Sequence, residues 1–268
     1  MKNHRPCRRI RPQAEGVFLG LKHAIPAMLA AQYSLELKLL LRNGEQLLLT
    51  MFIPITLLVG MILLPLGDFG PDRAARAAVF TPAIMALAVI STAFTGQAIA
   101  VAFDRRYGAL KRLGATALPV WGVIAGKALA VVTTVFLQAI LLGGIALALG
   151  WRPNPAGLAL GALVITLGTA TFAALGLLLG GTLRAEIVLA VANLGWFIFA
   201  GLGALVLPSN AGLVPSSLQS FARLTPSGAL TEALTRAATL SVDGFGIAVL
   251  VVWGVVAGAA ALRWFRFT

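Results

Sequence analysis

Residues 122–127 read GVIAGK, the chain's nearest approach to a phosphate-binding loop. Such a loop needs four residues between its glycines so that the backbone can wrap the phosphates, and a Ser or Thr after the lysine to hold magnesium. Here three residues separate Gly122 from Gly126, and Ala128 follows Lys127. The segment is therefore not a nucleotide site. Hydrolysis needs a nucleophile with its base, or a pair of carboxylates. No His, Asp or Glu falls deep inside an apolar stretch, and Glu45, Asp104 and Glu186 stand at the edges of such stretches. His4 and His23 lie in the amino-terminal arm. Cys7 is the sole cysteine, which leaves neither an intramolecular disulfide nor a thiolate metal cage. The expectation is a non-catalytic chain with no metal or cofactor of its own.

Three polar residues do sit within apolar stretches: Gln97, Gln138 and Asn193. Each could line a translocation path, or bond across helices and stabilise their packing, and packing is the commoner role. The lack of carboxylates at these depths argues against a carrier driven by protons or sodium, which needs one to hold the coupling ion. Energy for transport must then come from outside the chain, unless the protein is a passive channel or a membrane scaffold.

The elements that position these residues are membrane spans. Hydrophobic residues make up 59% of the 268 and charged ones only 11%, where a soluble domain carries about a quarter charged. Six stretches are long enough for the ~30 Å hydrocarbon layer: residues 47–66, 79–102, 119–150, 156–182, 187–207 and 245–262. Pro54 lies inside the first, which starts too late for a signal peptide and is expected to act as its own insertion signal. The net charge of +12 is no sign of nucleic acid, because no basic face with interleaved aromatics is present. It follows the positive-inside bias. With both termini cytoplasmic, 16 of the 21 Lys and Arg residues are inside. Only Arg73, Arg76, Arg152, Arg223 and Arg236 are outside.

Residues 1–26 form a basic arm broken by Pro6, Pro12 and Pro26, and 27–268 form the membrane domain. Residues 27–42 read as an interfacial helix, with Ser34, Lys38 and Arg42 in one polar row and Gln32 with Glu36 in another. Residues 208–244 are too apolar for a loop. Leu218, Phe221 and Leu224 recur at helical spacing, and Thr225 before Pro226 is an N-cap followed by proline at the first helical position. Two short re-entrant helices are expected there. Small-residue pairs four apart, such as Gly122 with Gly126 and Gly176 with Gly180, permit close helix approach.

The most specific stretch is FDRRYGALKRLGATALPVWGVIAGKALA, residues 103–130. Asp104 can cap a short helix that Gly114 ends, with Tyr107, Leu110 and Leu113 along one apolar edge. Arg105, Arg106, Lys111 and Arg112 keep it on the cytoplasmic side. Such a helix can dock into a groove on another protein, or simply anchor the loop at the headgroups.

This stretch resembles the permease subunit of ABC-2 type exporters, in which the second span runs into an acidic-basic-glycine cytoplasmic helix. The matching positions are Asp104, Arg105, Arg106, Gly108, Leu110, Lys111, Leu113, Ala115 and Thr116, then Pro119 and the Gly126–Lys127 pair. Residues 39–60, with their Arg-Asn entry and Pro54, and residues 224–236 are similar to further family segments. The family often has Glu-Arg-Glu-Arg-Gly where this chain has Asp104-Arg105-Arg106-Tyr107-Gly108, so Arg106 replaces the second acid, and Ala117 stands where proline is common. The resemblance implies an all-α membrane protein with six transmembrane helices. It implies an amphipathic connecting helix carrying Glu36, Lys38 and Arg42, and a coupling helix over 104–116 (Asp104, Arg105, Arg106, Tyr107, Gly108, Leu110, Lys111, Leu113). A smaller second contact falls at 182–186, with Arg184 and Glu186. It further implies drug-efflux-like export of an amphiphilic drug, antibiotic or lipid. The permease would pair with a second copy or a homologous permease and with two separate ATPase subunits, which hold the ATP and magnesium. The Ala-, Gly-, Leu- and Arg-rich usage points to a bacterial plasma membrane.

Overall fold

The computed structural model describes residues 13–42, 44–64, 69–110, 120–207 and 214–264. These residues form helices without a strand: α1 Gln13–Arg42, α2 Gly44–Leu63, α3 Arg73–Val89, a π-helical segment Ile90–Gly96, α4 Gln97–Arg106, α5 Val120–Ala148, α6 Pro155–Thr182, α7 Ala185–Leu205, α8 Ser216–Arg223, α9 Pro226–Ala238 and α10 Gly244–Trp264. Five helical stretches are long and apolar enough to cross a membrane: Arg73–Arg106, Trp121–Ala148 and the whole of α6, α7 and α10. The sixth expected span is α2, twenty residues long, whose apolar stretch Thr50–Leu63 is shorter than the others.

Several helix starts follow from local chemistry. A helix leaves its first N–H groups unpaired, and a short polar side chain just before it can accept from one of them. Asp72 Oδ1 accepts from the Ala75 amide at 2.8 Å and starts α3. Asn154 Oδ1 accepts from Ala156 at 2.9 Å, with Pro155 opening α6. Thr225 Oγ1 accepts from Gly228 at 3.2 Å, with Pro226 opening α9.

Two boundaries differ from the sequence expectation. Helix α1 begins at Gln13 and runs through Pro26, so much of the basic arm is helical. An internal proline removes one hydrogen bond and kinks a helix without necessarily ending it. The second span starts at Arg73, which moves Arg73 and Arg76 out of the expected loop and into α3. Arg76 is buried there, and its Nε donates to the Ile62 carbonyl at 2.9 Å, satisfying an end group of α2.

The second span is continuous over 34 residues but carries the π segment at its middle. A π turn holds one extra residue, which widens the helix and changes the direction of every side chain beyond it. Neighbouring helices hold it in place. Thr92 Oγ1 donates to Gln138 Oε1 of α5 at 2.9 Å. The Trp196 indole of α7 donates to Ser91 Oγ at 2.6 Å. Phe94, Phe172 and Phe199 meet edge-to-face, with ring centroids 5.2–6.4 Å apart, and join the π segment to α6 and α7.

Helix α6 is the centre of the molecule, packed by α10, α4, α9, the π segment and α5. The approach of the second span requires glycine. A Cβ on Gly176 would lie 2.8 Å from the carbonyl oxygens of both Ala93 and Phe94. Helices α8 and α9 are each too short to cross. At the Asp72 end of the bundle Arg223, Glu232, Arg236 and Asp243 tie them to the start of α10 through ion pairs. Many large apolar side chains are exposed to the surroundings, among them Ile140, Leu163, Phe197 and Val255. That is the surface expected where lipid or another apolar face replaces water.

Candidate functional site

At the opposite end of the bundle, three elements distant in sequence are fastened by one cation. Lys127, about two turns into α5, is 4% exposed. Its Nζ lies 2.9 Å from Glu36 Oε2 of α1 and 2.8 Å from Asp104 Oδ2 of α4. Gln32, one turn before Glu36, donates from Nε2 to Glu36 Oε1 at 2.8 Å. Gly126 makes the α1–α5 approach possible, because a Cβ there would meet Gln32 Cγ at 2.6 Å. Further along the same seam Tyr33 Oη and Thr133 Oγ1 share a hydrogen bond at 3.0 Å.

The Gln32–Glu36 row of α1 therefore faces protein, while Leu35, Leu39 and Leu41 are exposed. A helix beside lipid gains by this inversion, since leucine is at home in hydrocarbon and a carboxylate is not. Lys38 and Arg42 remain exposed. Among the three charged groups Glu36 and Lys127 are buried, while Asp104 is 36% exposed. Removal of one member of a buried pair leaves a bare charge, which costs about 3–5 kcal/mol.

Asp104 does not cap a separate helix as expected. It lies in the last turn of α4, which ends at Arg106. The Gly108 amide donates to the Arg105 carbonyl at 3.0 Å, and Gly108 takes φ +72°, a left-handed conformation that glycine adopts without a steric penalty. That turn separates two residues expected on one edge: Tyr107 is 69% exposed, whereas Leu110 is fully buried with Val101, Val123, Leu177 and Ala261. Leu110 is thus a core residue, not part of a docking edge. Lys111, Leu113 and the rest of 111–119 lie outside the described residues.

The two expected contact segments meet at this end. Arg105 Nη1 donates to the carbonyls of Gly180 and Leu183 at 3.0 Å each, across the end of α6. Arg106 reaches Glu186 at the start of α7 at 2.6 Å, with both side chains more than half exposed. Arg184 precedes α7 and is exposed.

Of the three polar span residues, Gln138 is buried against Thr92, and Gln97 is buried in the first turn of α4. Asn193 is exposed on α7 and donates from Nδ2 to the Leu189 carbonyl at 2.8 Å. Neither described cavity is lined by any of them.

The model of the family described as ABC-2 type transporter matches residues 30–238. The chain belongs to the ABC-2 type transporter family. The match runs from within α1 to the last residue of α9 and takes in Glu36, Asp104, Lys127, Arg184 and Glu186, leaving α10 beyond it. None of the curated proteins matches the chain. As an ABC-2 membrane domain it is a permease, and permeases of this family generally work with an ABC ATPase. The sequence marks Lys127 as the end of the GVIAGK stretch and as half of the family-like Gly126–Lys127 pair, not as the partner of Glu36 and Asp104. A lysine within the start of an apolar run, with a carboxylate one turn from a glutamine elsewhere, was the available sign.

Proposed function

We propose that the chain is the membrane-spanning permease of an ATP-driven exporter, working as a pair of permeases with two separate ATPase subunits that hold ATP and magnesium. The Asp104 end is the cytoplasmic face on which the ATPase docks, and the membrane is a bacterial plasma membrane with both chain termini inside. The cargo is an amphiphilic drug, antibiotic or lipid, in keeping with the apolar character of the spans. The Glu36–Lys127–Asp104 junction carries this reading. It ties the connecting helix, the exit of the second span and the entry of the third to one buried ammonium. Force applied at Tyr107, Arg106 or Arg184 from below reaches three helices together.

Coupling is tested in proteoliposomes holding the permease and its co-expressed ATPase. Lys127→Met is expected to leave the ATPase bound but reduce ATP-dependent export of a fluorescent amphiphile at least tenfold. Export by the chain without any ATPase would overturn the proposal.

A further inference from the structure

A cavity of about 510 Å³ lies between α3, α5 and α6, closed below by α9. Its walls include Ile140, Gly144 and Leu147 of α5, Gly161 and Ile165 of α6, and Met85 of α3. On α5 the lining runs from Phe136 to Leu147, roughly 16 Å along the helix axis. The cleft is open at the flank of the bundle, where its own lining residues Ile140 of α5 and Leu158 of α6 are 70% and 45% exposed. In a membrane that opening faces acyl chains rather than water.

The mouth has a different chemistry. Trp151 and Pro153, in the turn between α5 and α6, close the end of the cleft away from Asp104. Trp151 is 5% exposed, and its indole N–H makes no hydrogen bond to any described residue. Between them, Arg152 is exposed and uses only Nη1, which donates to the Leu147 and Trp151 carbonyls at 2.8 and 2.9 Å. Among the described residues it forms no ion pair, whereas Arg223 and Arg236 at the same end are neutralised by Glu232 and Asp243. The cleft thus pairs an apolar shaft with a mouth of unused N–H donors and uncompensated positive charge.

We propose that this cleft holds one acyl chain of a membrane lipid with an anionic headgroup, its phosphate bound by Arg152 and the Trp151 indole. A guanidinium with free donors suits a phosphate diester, and tryptophan belongs at headgroup level. The site is a lateral one, at the opposite end of the bundle from the Glu36–Lys127–Asp104 junction.

The test uses the full chain, delipidated in detergent and titrated with phosphatidylglycerol or phosphatidylcholine. Native mass spectrometry counts the lipid retained. Wild type is expected to keep one lipid, phosphatidylglycerol about fivefold more tightly than phosphatidylcholine, the ratio that one arginine at a membrane surface supplies. Arg152→Gln should bring the two lipids level. Gly161→Leu should abolish the retained lipid, since a Cβ there meets no atom within 4 Å and the rest of the side chain would extend into the shaft that Gly161 lines. Gly144→Leu is equally open and serves as the second filling variant. Gly201→Leu, in open space on α7, should retain lipid as wild type does. Retention unchanged in both filling variants, or an unchanged preference in Arg152→Gln, overturns the proposal.

Discussion

Charge in this molecule is arranged so that burial decides its worth. Lys127 pairs with one buried carboxylate and one partly exposed one, whereas Arg106 and Glu186 meet in the open. Lys127→Met should lower stability by about 3–5 kcal/mol, because it strands both Glu36 and Asp104. Arg106→Ala should cost less than about 1 kcal/mol. Thermal unfolding in detergent separates the two, and equal losses would contradict the assignment of Lys127 as the fastening. In a double-mutant cycle with Glu36→Gln, the Lys127 effect should shrink by at least ~1 kcal/mol, since residues in one network do not add. The Gln32–Glu36 half of the junction was legible in the sequence as an i, i+4 pair. Its partner was not, because spacing along one helix carries no information on which face of another helix it meets.

At the level of elements, sequence chemistry located most ends. Thr225–Pro226 and Asn154–Pro155 mark their helices because capping is local. The π segment was invisible, since one extra residue in an apolar run leaves the hydropathy unchanged while turning everything after it by about 100°. Deleting one residue within Ile90–Gly96 should therefore rotate α4 and take Asp104 away from Lys127. Cysteines at Phe103 and Leu179, which pack on the same apolar cluster, should be joined by a short bifunctional cross-linker in a Cys7→Ser background and lose that cross-link in the deletion variant. A retained cross-link would mean the bundle absorbs the change elsewhere. The turn at Gly108 was equally hard to foresee, and it reverses the reading of Leu110. Leu110→Asp should reduce the yield of folded protein, measured by size exclusion in detergent, before any question of partner binding arises.

The whole molecule is a bundle arranged around α6, with α10 attached to it by contacts beyond the family-matched stretch. Thr171 Oγ1 donates to the Leu250 carbonyl at 3.0 Å, and the Trp253 indole donates to the Leu224 carbonyl at 3.0 Å. Of the five long spans α7 is the least buried and carries Asn193 on its exposed face. Under the paired-permease proposal, a cysteine at Asn193 should cross-link two copies in native membranes, while one at Ile140, beside the lateral cleft, should not. Asp104 has a consequence of its own at this scale. It is the partly exposed member of a cluster with two acids and one base, so an arginine offered from outside competes with Lys127 for it. Each step by which Asp104 turns toward such a visitor leaves Lys127 more completely to Glu36. Under the proposed docking of an ATPase at this end, the junction would work as a changeover switch, passing a touch at the surface to α1 by exchange of partners.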